Sequence, residues 1–300
     1  MAGSKPKIFV IYYSTYGHVH TIAQAITKGL LKTNTVDAEL FQIPETLPAD
    51  VLEKMHAAPR ANVPEITPEK LTEADGFLFG FPTRFGVAPA QVKSFFDATG
   101  KLWSKGALQG KPAGLFFSTA SQHGGQESTA YTFLSHFAHH GLVYVPLGYA
   151  SPHMFDNESV VGSSPWGAGT IAGPDGSLQP SVMELEIAET QGEKFAQVAV
   201  KLFNTAAGAS VNPGAPVPAE VPDAAVVPTD VPPVAEEAKP EPVSAAEAAP
   251  VKNNAQADKS AAAVAAAAAA PGGANPQDVP KKSSLMENLI AKLKNAFSSK

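Results

Sequence analysis

The sequence predicts an α/β fold, a doubly wound five-stranded parallel sheet with helices on both faces. Two observations carry this. Five short apolar runs, rich in β-branched and aromatic residues, are separated by segments with helical spacing of apolar residues, the alternation that βαβ units produce. The first run, KIFVIYY at 7–13, is apolar at successive positions rather than at every second one, as a strand covered on both faces must be.

The elements follow in order. After the first strand, residues 14–19 are polar with one Gly, and from His20 to Leu31 the residues Ile22, Ala25, Ile26, Gly29 and Leu30 recur with helical period. VDAELFQI at 36–43 alternates as a second strand. A Pro-punctuated stretch over 44–74 contains a short helix at 49–56. DGFLFGF at 75–81 is a third strand, and 88–98 reads as a helix. PAGLFFST at 112–119 is a fourth strand, Gln126–Phe137 a helix, and LVYVP at 142–146 the fifth strand. Residues 181–203 hold Leu185, Ala188, Phe195, Val198, Ala199 and Leu202 at helical spacing.

Charge divides the chain into three parts. Residues 1–205 carry 14 basic and 18 acidic side chains; 206–280 carry 3 and 9, with 13 of the 27 prolines and no Phe, Trp or Tyr; 281–300 carry five Lys and one Glu. The middle part offers too little apolar area to offset chain ordering, so it reads as a disordered Ala/Pro-rich acidic linker between a domain at 1–205 and a terminal helix. No Cys is present, which excludes disulfides, Cys metal sites and a thiol nucleophile. An acidic domain argues against nucleic acid as a partner. The N-terminal apolar run is too short for a secretory leader, and the expected compartment is the cytosol.

In doubly wound sheets ligands bind beyond the carboxyl ends of the strands, which directs attention to three loops. Ser14-Thr15-Tyr16-Gly17-His18-Val19 leaves the first strand for a helix. Its hydroxyls and N–H groups suit an anion, and without Lys or Arg it suits a monophosphate held by neutral donors; the alternative, read singly, is a capped helix start. It matches neither the Walker nor the dinucleotide fingerprint. Phe81-Pro82-Thr83-Arg84-Phe85-Gly86 offers a cation and an aromatic face, or is a surface turn. Ser118-Thr119-Ala120-Ser121-Gln122-His123-Gly124-Gly125-Gln126 is small and hydroxyl-rich, so that backbone amides approach a ligand closely, or is a plain linker. No cluster has metal-ligand spacing, and no metal is assigned.

Taken together, Ser-x-Tyr-Gly-His after the first strand, Pro-Thr-Arg-Phe-Gly after the third and Gly-Gly-Gln-Glu after the fourth resemble the flavodoxin-like NAD(P)H:quinone oxidoreductases of the WrbA type. Further matches are Gly-x-Leu-Trp at 100–103, the Ala-His-His-Gly run at 138–149 and the stretch at 170–181. The resemblance covers about residues 7–203. It implies a flavodoxin-like fold and FMN as cofactor, with NADPH or NADH as co-substrate. Ser14 through Val19 would hold the phosphate, Thr83, Arg84 and Phe85 would border the ring, and Ser118 through Gly124 would contact its pyrimidine side. His139 would lie close to the flavin, Tyr16 would meet the nicotinamide, and Trp103 would line the quinone pocket. These three are the catalytic candidates, in an active site built from more than one subunit of a homotetramer, a dimer of dimers. The stretch 147–180 is the family's insertion, expected in assembly and pocket walls. Ala120-Ser121-Gln122-His123 depart from the family's Thr-Gly-Thr-Gly-Gly type stretch, and Trp166 stands where a smaller aromatic is usual.

The expected activity is two-electron, ping-pong reduction of quinones, protective because one-electron quinone radicals are bypassed. A flavodoxin-type electron carrier and a weakly active flavin-fold scaffold are the alternatives. SSLMENLIAKLKNAFS at 283–298 places Leu285, Leu289, Leu293 and Phe297 on one face beside a Lys-rich one. Such a helix suits the anionic cytoplasmic face of the plasma membrane or, equally, a protein partner.

Overall fold

The computed structural model describes residues 5–208. The expected linker at 206–280 falls outside these, apart from its first three residues, and the basic helix at 281–300 falls outside entirely. The elements are β1 (Lys7–Tyr12), α1 (His18–Lys32), β2 (Asp37–Gln42), α2 (Ala49–Lys54), β3 (Gly76–Pro82), α3 (Ala90–Asp97), α4 (Gly100–Ser104), β4 (Pro112–Thr119), α5 (Gln126–His140), β5 (Val143–Tyr144), β6 (Gly167–Ile171) and α6 (Val182–Gly208), with single 3-10 turns at Glu69–Glu73 and Pro152–Phe155. The strands are parallel in the order β2-β1-β3-β4-β5, with β6 also on β4. This is the doubly wound α/β fold the sequence predicts.

The successive apolar residues of the strands are explained by the two layers they feed. Side chains alternate across a strand. Phe9, Ile11, Tyr13, Phe77, Phe79, Phe81, Leu115 and Phe117 therefore meet Val92, Phe95 and Phe96 of α3 and Phe133 and Phe137 of α5 on one face. Ile8, Val10, Tyr12, Leu78 and Phe116 meet Ile22, Ile26 and Leu30 of α1 and Ile187 and Phe195 of α6 on the other. Helices α1 and α6 touch backbone to backbone: a Cβ on Gly29 would overlap the Glu189 carbonyl, and one on Gly192 the Ile26 carbonyl. Lys28–Glu189 and Lys32–Glu193 pairs flank this contact at 2.5 and 2.6 Å.

The fifth strand is corrected. The run 142–146 supplies only Val143–Tyr144, paired with Pro112 and Ala113. Val145 N–H still reaches the Ala113 carbonyl at 2.8 Å, but the pairing of this segment with β4 goes no further. The chain leaves the sheet and returns with Gly167 opposite Leu115 and Ile171 opposite Thr119. One position in the sheet is thus filled by two strands, and the sheet has six strands rather than five. Part of the expected insertion is sheet. Gln191 of α6 bridges the changeover, accepting Ala168 N–H and donating to the Leu115 carbonyl, both at 2.8 Å. Glu184, 2% exposed, clamps the returning segment. Its carboxylate accepts from Gly162 N (3.0 Å), Ile171 N (3.0 Å), Thr170 Oγ1 (3.0 Å) and Ser181 N (2.8 Å). Glu184 N–H donates back to Ser181 Oγ at 3.2 Å, the reciprocal arrangement of a capping box.

Candidate active site

The chain passes from β1 outward to β2 and then to β3 on β1's other side, so the carboxyl ends of β1 and β3 form the switch point where such sheets bind ligands. The three loops singled out in the sequence leave the carboxyl ends of β1, β3 and β4, on this side of the sheet.

In the first loop Gly17 sits at φ 90°, and a Cβ added to it would meet nothing within 4 Å. Gly17 N–H bonds Ser14 Oγ at 3.0 Å, and no side chain caps α1. The first-turn N–H groups of an α-helix have no intrahelical acceptor, so the helix start is an open set of donors. The structure thus shows no side-chain cap at this helix start. Thr15 is buried, with its carbonyl held by Ala58 N–H at 2.9 Å. Tyr16 is 42% exposed, its hydroxyl 3.3 Å from the Met55 carbonyl. The side chains of His18 and Val19 turn inward. His18 Nε2 donates to the Leu178 carbonyl at 2.9 Å, and Val19 joins the core. Only their backbone can face a ligand.

The second loop is a tight reversal. Arg84 and Val87 exchange backbone hydrogen bonds at 2.8 and 3.1 Å, and between them Phe85 (φ 53°) and Gly86 (φ 78°) are both left-handed, as a two-residue type I′ turn requires. Phe85 is fully exposed. An aromatic residue held in a costly backbone conformation with its ring in solvent makes Phe85 a candidate position. Thr83 N–H bonds the Ser118 carbonyl at 2.9 Å, and Thr83 Oγ1 accepts Gly86 N–H (3.1 Å) and the Thr129 hydroxyl (2.7 Å). These bonds tie the second loop to the third and to α5.

In the third loop Ser118 and Thr119 are buried at the end of β4, and Ala120, Ser121, Gln122 and His123 are exposed. The Gln122 amide reaches the Ser159 carbonyl at 3.4 Å, which brings the insertion to the rim.

Beneath the loops lies a network the sequence did not single out. Tyr13 hydroxyl donates to Glu45 at 2.8 Å, and Gln91 Nε2 donates to the same carboxylate at 2.8 Å. Thr15 Oγ1 reaches Tyr13 hydroxyl at 3.4 Å. Burial works against the Glu45 charge, yet hydrogen bonds from Leu47 N–H, Gln91, Tyr13 and Thr46 N–H hold the carboxyl below its usual range. Burial pushes the Tyr13 phenol up to about 12. Gln91 carries no local signal, because its partner comes from a distant segment, and Glu45 joins its neighbouring N–H groups to partners 32 and 46 residues away.

Trp103 and His139 do not join the loops within one chain. They lie together in a cleft of about 320 Å3 lined also by Phe96, Thr99, His136 and His140. His139 stands near the far end of α5, about 20 Å along the helix from Gln126 at 1.5 Å per residue. Thr99 Oγ1 donates to the Phe96 carbonyl at 2.6 Å, so His140 Nε2, 2.8 Å away, is the donor between them. Burial holds both the His136 and His140 imidazoles below their usual value. Among the described residues no group of three or more His, Asp or Glu side chains could hold a metal ion, and no helix is long and apolar enough to cross a membrane.

Residues 6–156 match the family model described as NADPH-dependent FMN reductase. The chain is 54% identical over 202 residues to Quinone-oxidoreductase QR2 of Triphysaria versicolor, covering 67% of this chain and 98% of that one. It is 55% identical over 199 residues to NAD(P)H quinone oxidoreductase YCP4 of Candida albicans, covering 65% and 69%. A solved flavodoxin, WrbA-like protein from Agrobacterium tumefaciens aligns over 66% of this chain and 99% of its own at 28% identity, with a TM-score of 0.45.

Proposed function

The chain belongs to the NADPH-dependent FMN reductase family, and from that premise we propose that it binds FMN at the β1/β3 switch point and reduces quinones with NADPH or NADH. The residues present fit the cofactor. The open first turn of α1, with Ser14 and Thr15 beside it and no Lys or Arg in the loop, suits a phosphate dianion held by N–H and hydroxyl donors. On the loop leaving β3, Arg84 offers a cation and the fully exposed Phe85 an aromatic face for a planar ring. FMN when bound supplies the hydride chemistry, and the protein supplies binding and orientation.

The chain's own groups divide the remaining work. The bonds from Thr83 to Ser118, Gly86 and Thr129 hold the second and third loops at one spacing, so the ring slot is set before the ligand arrives. Tyr16, half exposed at the rim, stands where the nicotinamide enters. Nicotinamide and quinone use one opening in turn, which makes the steady-state kinetics ping-pong. Trp103 and His139, remote from the loops of their own chain, complete the slot of a neighbouring protomer in a homotetramer, with Trp103 against the quinone and His139 or Tyr16 supplying the proton. The reaction protects against one-electron quinone reduction. Residues 281–300 attach this cytosolic enzyme to an anionic membrane surface or to a protein partner; equal vesicle binding with and without them rules out the lipid version.

The single observation carrying this reading is the uncapped α1 start at the carboxyl end of β1, with Gly17 at φ 90° and open space where its Cβ would stand. The test is the absorption spectrum of the purified protein, then NADPH oxidation with and without benzoquinone. A flavin band and quinone-dependent turnover are expected. A colourless protein that takes up no FMN refutes the proposal, and a flavin band without quinone-dependent oxidation assigns an electron carrier instead.

A further inference from the structure

The third loop contains no glycine from Ala120 to His123, yet one of its peptides is held in a single orientation by side chains. The Ser121 carbonyl accepts three hydrogen bonds, from Thr119 Oγ1 (2.8 Å), Gln126 Nε2 (2.8 Å) and Gly124 N (3.1 Å). Gln126 Nε2 also donates to Thr119 Oγ1 at 2.9 Å. Thr119 spends its one hydrogen on Ser121 and accepts from Gln126, so every hydrogen in this triangle is used. Both side chains are buried, at 3% and 6% exposure, where breaking such bonds is expensive.

A peptide unit is planar, and in the trans form its N–H points opposite to its C=O. The described chain has no cis peptide. With the Ser121 carbonyl turned in toward Thr119 and Gln126, the Gln122 N–H is turned out, and it meets no backbone acceptor among the described residues. We propose that Gln126 is a positioning residue for the flavin, which with Thr119 pins the Ser121–Gln122 peptide so that its N–H meets an acceptor on the pyrimidine edge of the ring. The inference rests on the FMN reading above. A donor fixed in advance at that edge stabilises negative charge on the reduced ring without reorganising. The side-chain triangle does here what glycines would do through backbone freedom.

The test uses the full chain with Gln126→Glu, Thr119→Val, their double variant and Thr119→Ser. Dissociation constants for FMN and riboflavin are read by flavin fluorescence, and the flavin midpoint potential by titration. Gln126→Glu keeps the shape and removes the donor. It and Thr119→Val each weaken both flavins about tenfold, as loss of one hydrogen bond would, and the double variant is no worse than the weaker single, since both act on one peptide. Thr119→Ser binds as the parent does, and the potential of the two weakened variants moves negative. Parent-like flavin binding by Gln126→Glu overturns the inference, as does a loss confined to FMN, which would assign the effect to the phosphate. Should Gln126→Glu not fold, Thr119→Val decides by the same criteria. A parent chain that binds neither flavin refutes the FMN reading itself, whereas a parent that binds beside an unaffected Gln126→Glu overturns the positioning role alone.

Discussion

Replacing Glu184 by Gln tests whether one carboxylate closes the split fifth strand. The substitution is isosteric. One oxygen becomes an NH2 group, and it must face either the Gly162 and Ile171 N–H groups or the Thr170 hydroxyl and Ser181 N–H. Only the Thr170 hydroxyl can turn to accept, so at least one N–H loses its acceptor and the other bonds lose their charge. A hydrogen bond to a charged group contributes about 1.5–3 kcal/mol, and a buried donor left unsatisfied costs about 1–3 kcal/mol. A loss of about 3 kcal/mol follows. At about 2–4 °C per kcal/mol for a domain of this size, the melting midpoint should fall by roughly 6–12 °C. The assay is thermal denaturation of the apoprotein followed by circular dichroism. A midpoint within about 2 °C of the parent would show that the carboxylate does not carry the clamp.

Other perturbations have equally definite outcomes. Gly29→Ala gains about 1 kcal/mol of helix propensity but drives a methyl into the Glu189 carbonyl. Overpacking costs about 1–3 kcal/mol or more, so the apoprotein midpoint should fall, and a rise would refute the backbone contact between α1 and α6. Phe85→Gly relieves a left-handed residue that costs about 1–2 kcal/mol and removes no buried area, because the ring is fully exposed. The apoprotein should be no less stable while its FMN dissociation constant rises about tenfold from the lost stacking face; unchanged affinity in a fluorescence titration would exclude Phe85 from the site. His136 and His140 are held below their usual value by burial, so the unfolded chain binds protons that the folded rings refuse. Stability is therefore full above about pH 6.5 and is lost as pH falls toward the folded values. Melting midpoints measured from pH 7.5 to 5.5 should decline, and less steeply in His136→Gln/His140→Gln; parallel slopes would refute the assignment.

The strands were legible where burial on both faces wrote itself as an unbroken apolar run. PAGLFFST ends in the structure at the expected residues, and the first three strands agree to within one. The three loops were legible for a related reason, since each begins where such a run stops. What escaped depends on partners far along the chain. GAGTI reads locally as a glycine-rich loop, yet it is β6, because a Cβ on Gly167 would overlap the Leu115 carbonyl of β4. The glycines are there for close approach, not for bending. Glu45, Gln91 and Gln191 are ordinary polar residues in sequence and become structural through contacts 23 to 76 residues away in number, as with Gln191 and Leu115.

Hydrophobic period was enough to specify the parallel sheet, and with it the switch point and the loops that leave it, since these follow from local patterning and the handedness of βαβ units. The division of the fifth strand, the clamp at Glu184, the inward turn of His18 and the remoteness of Trp103 and His139 from the loops depended on three-dimensional assembly. Each turns on where a backbone N–H or carbonyl finds its partner across the chain, and no local pattern encodes that.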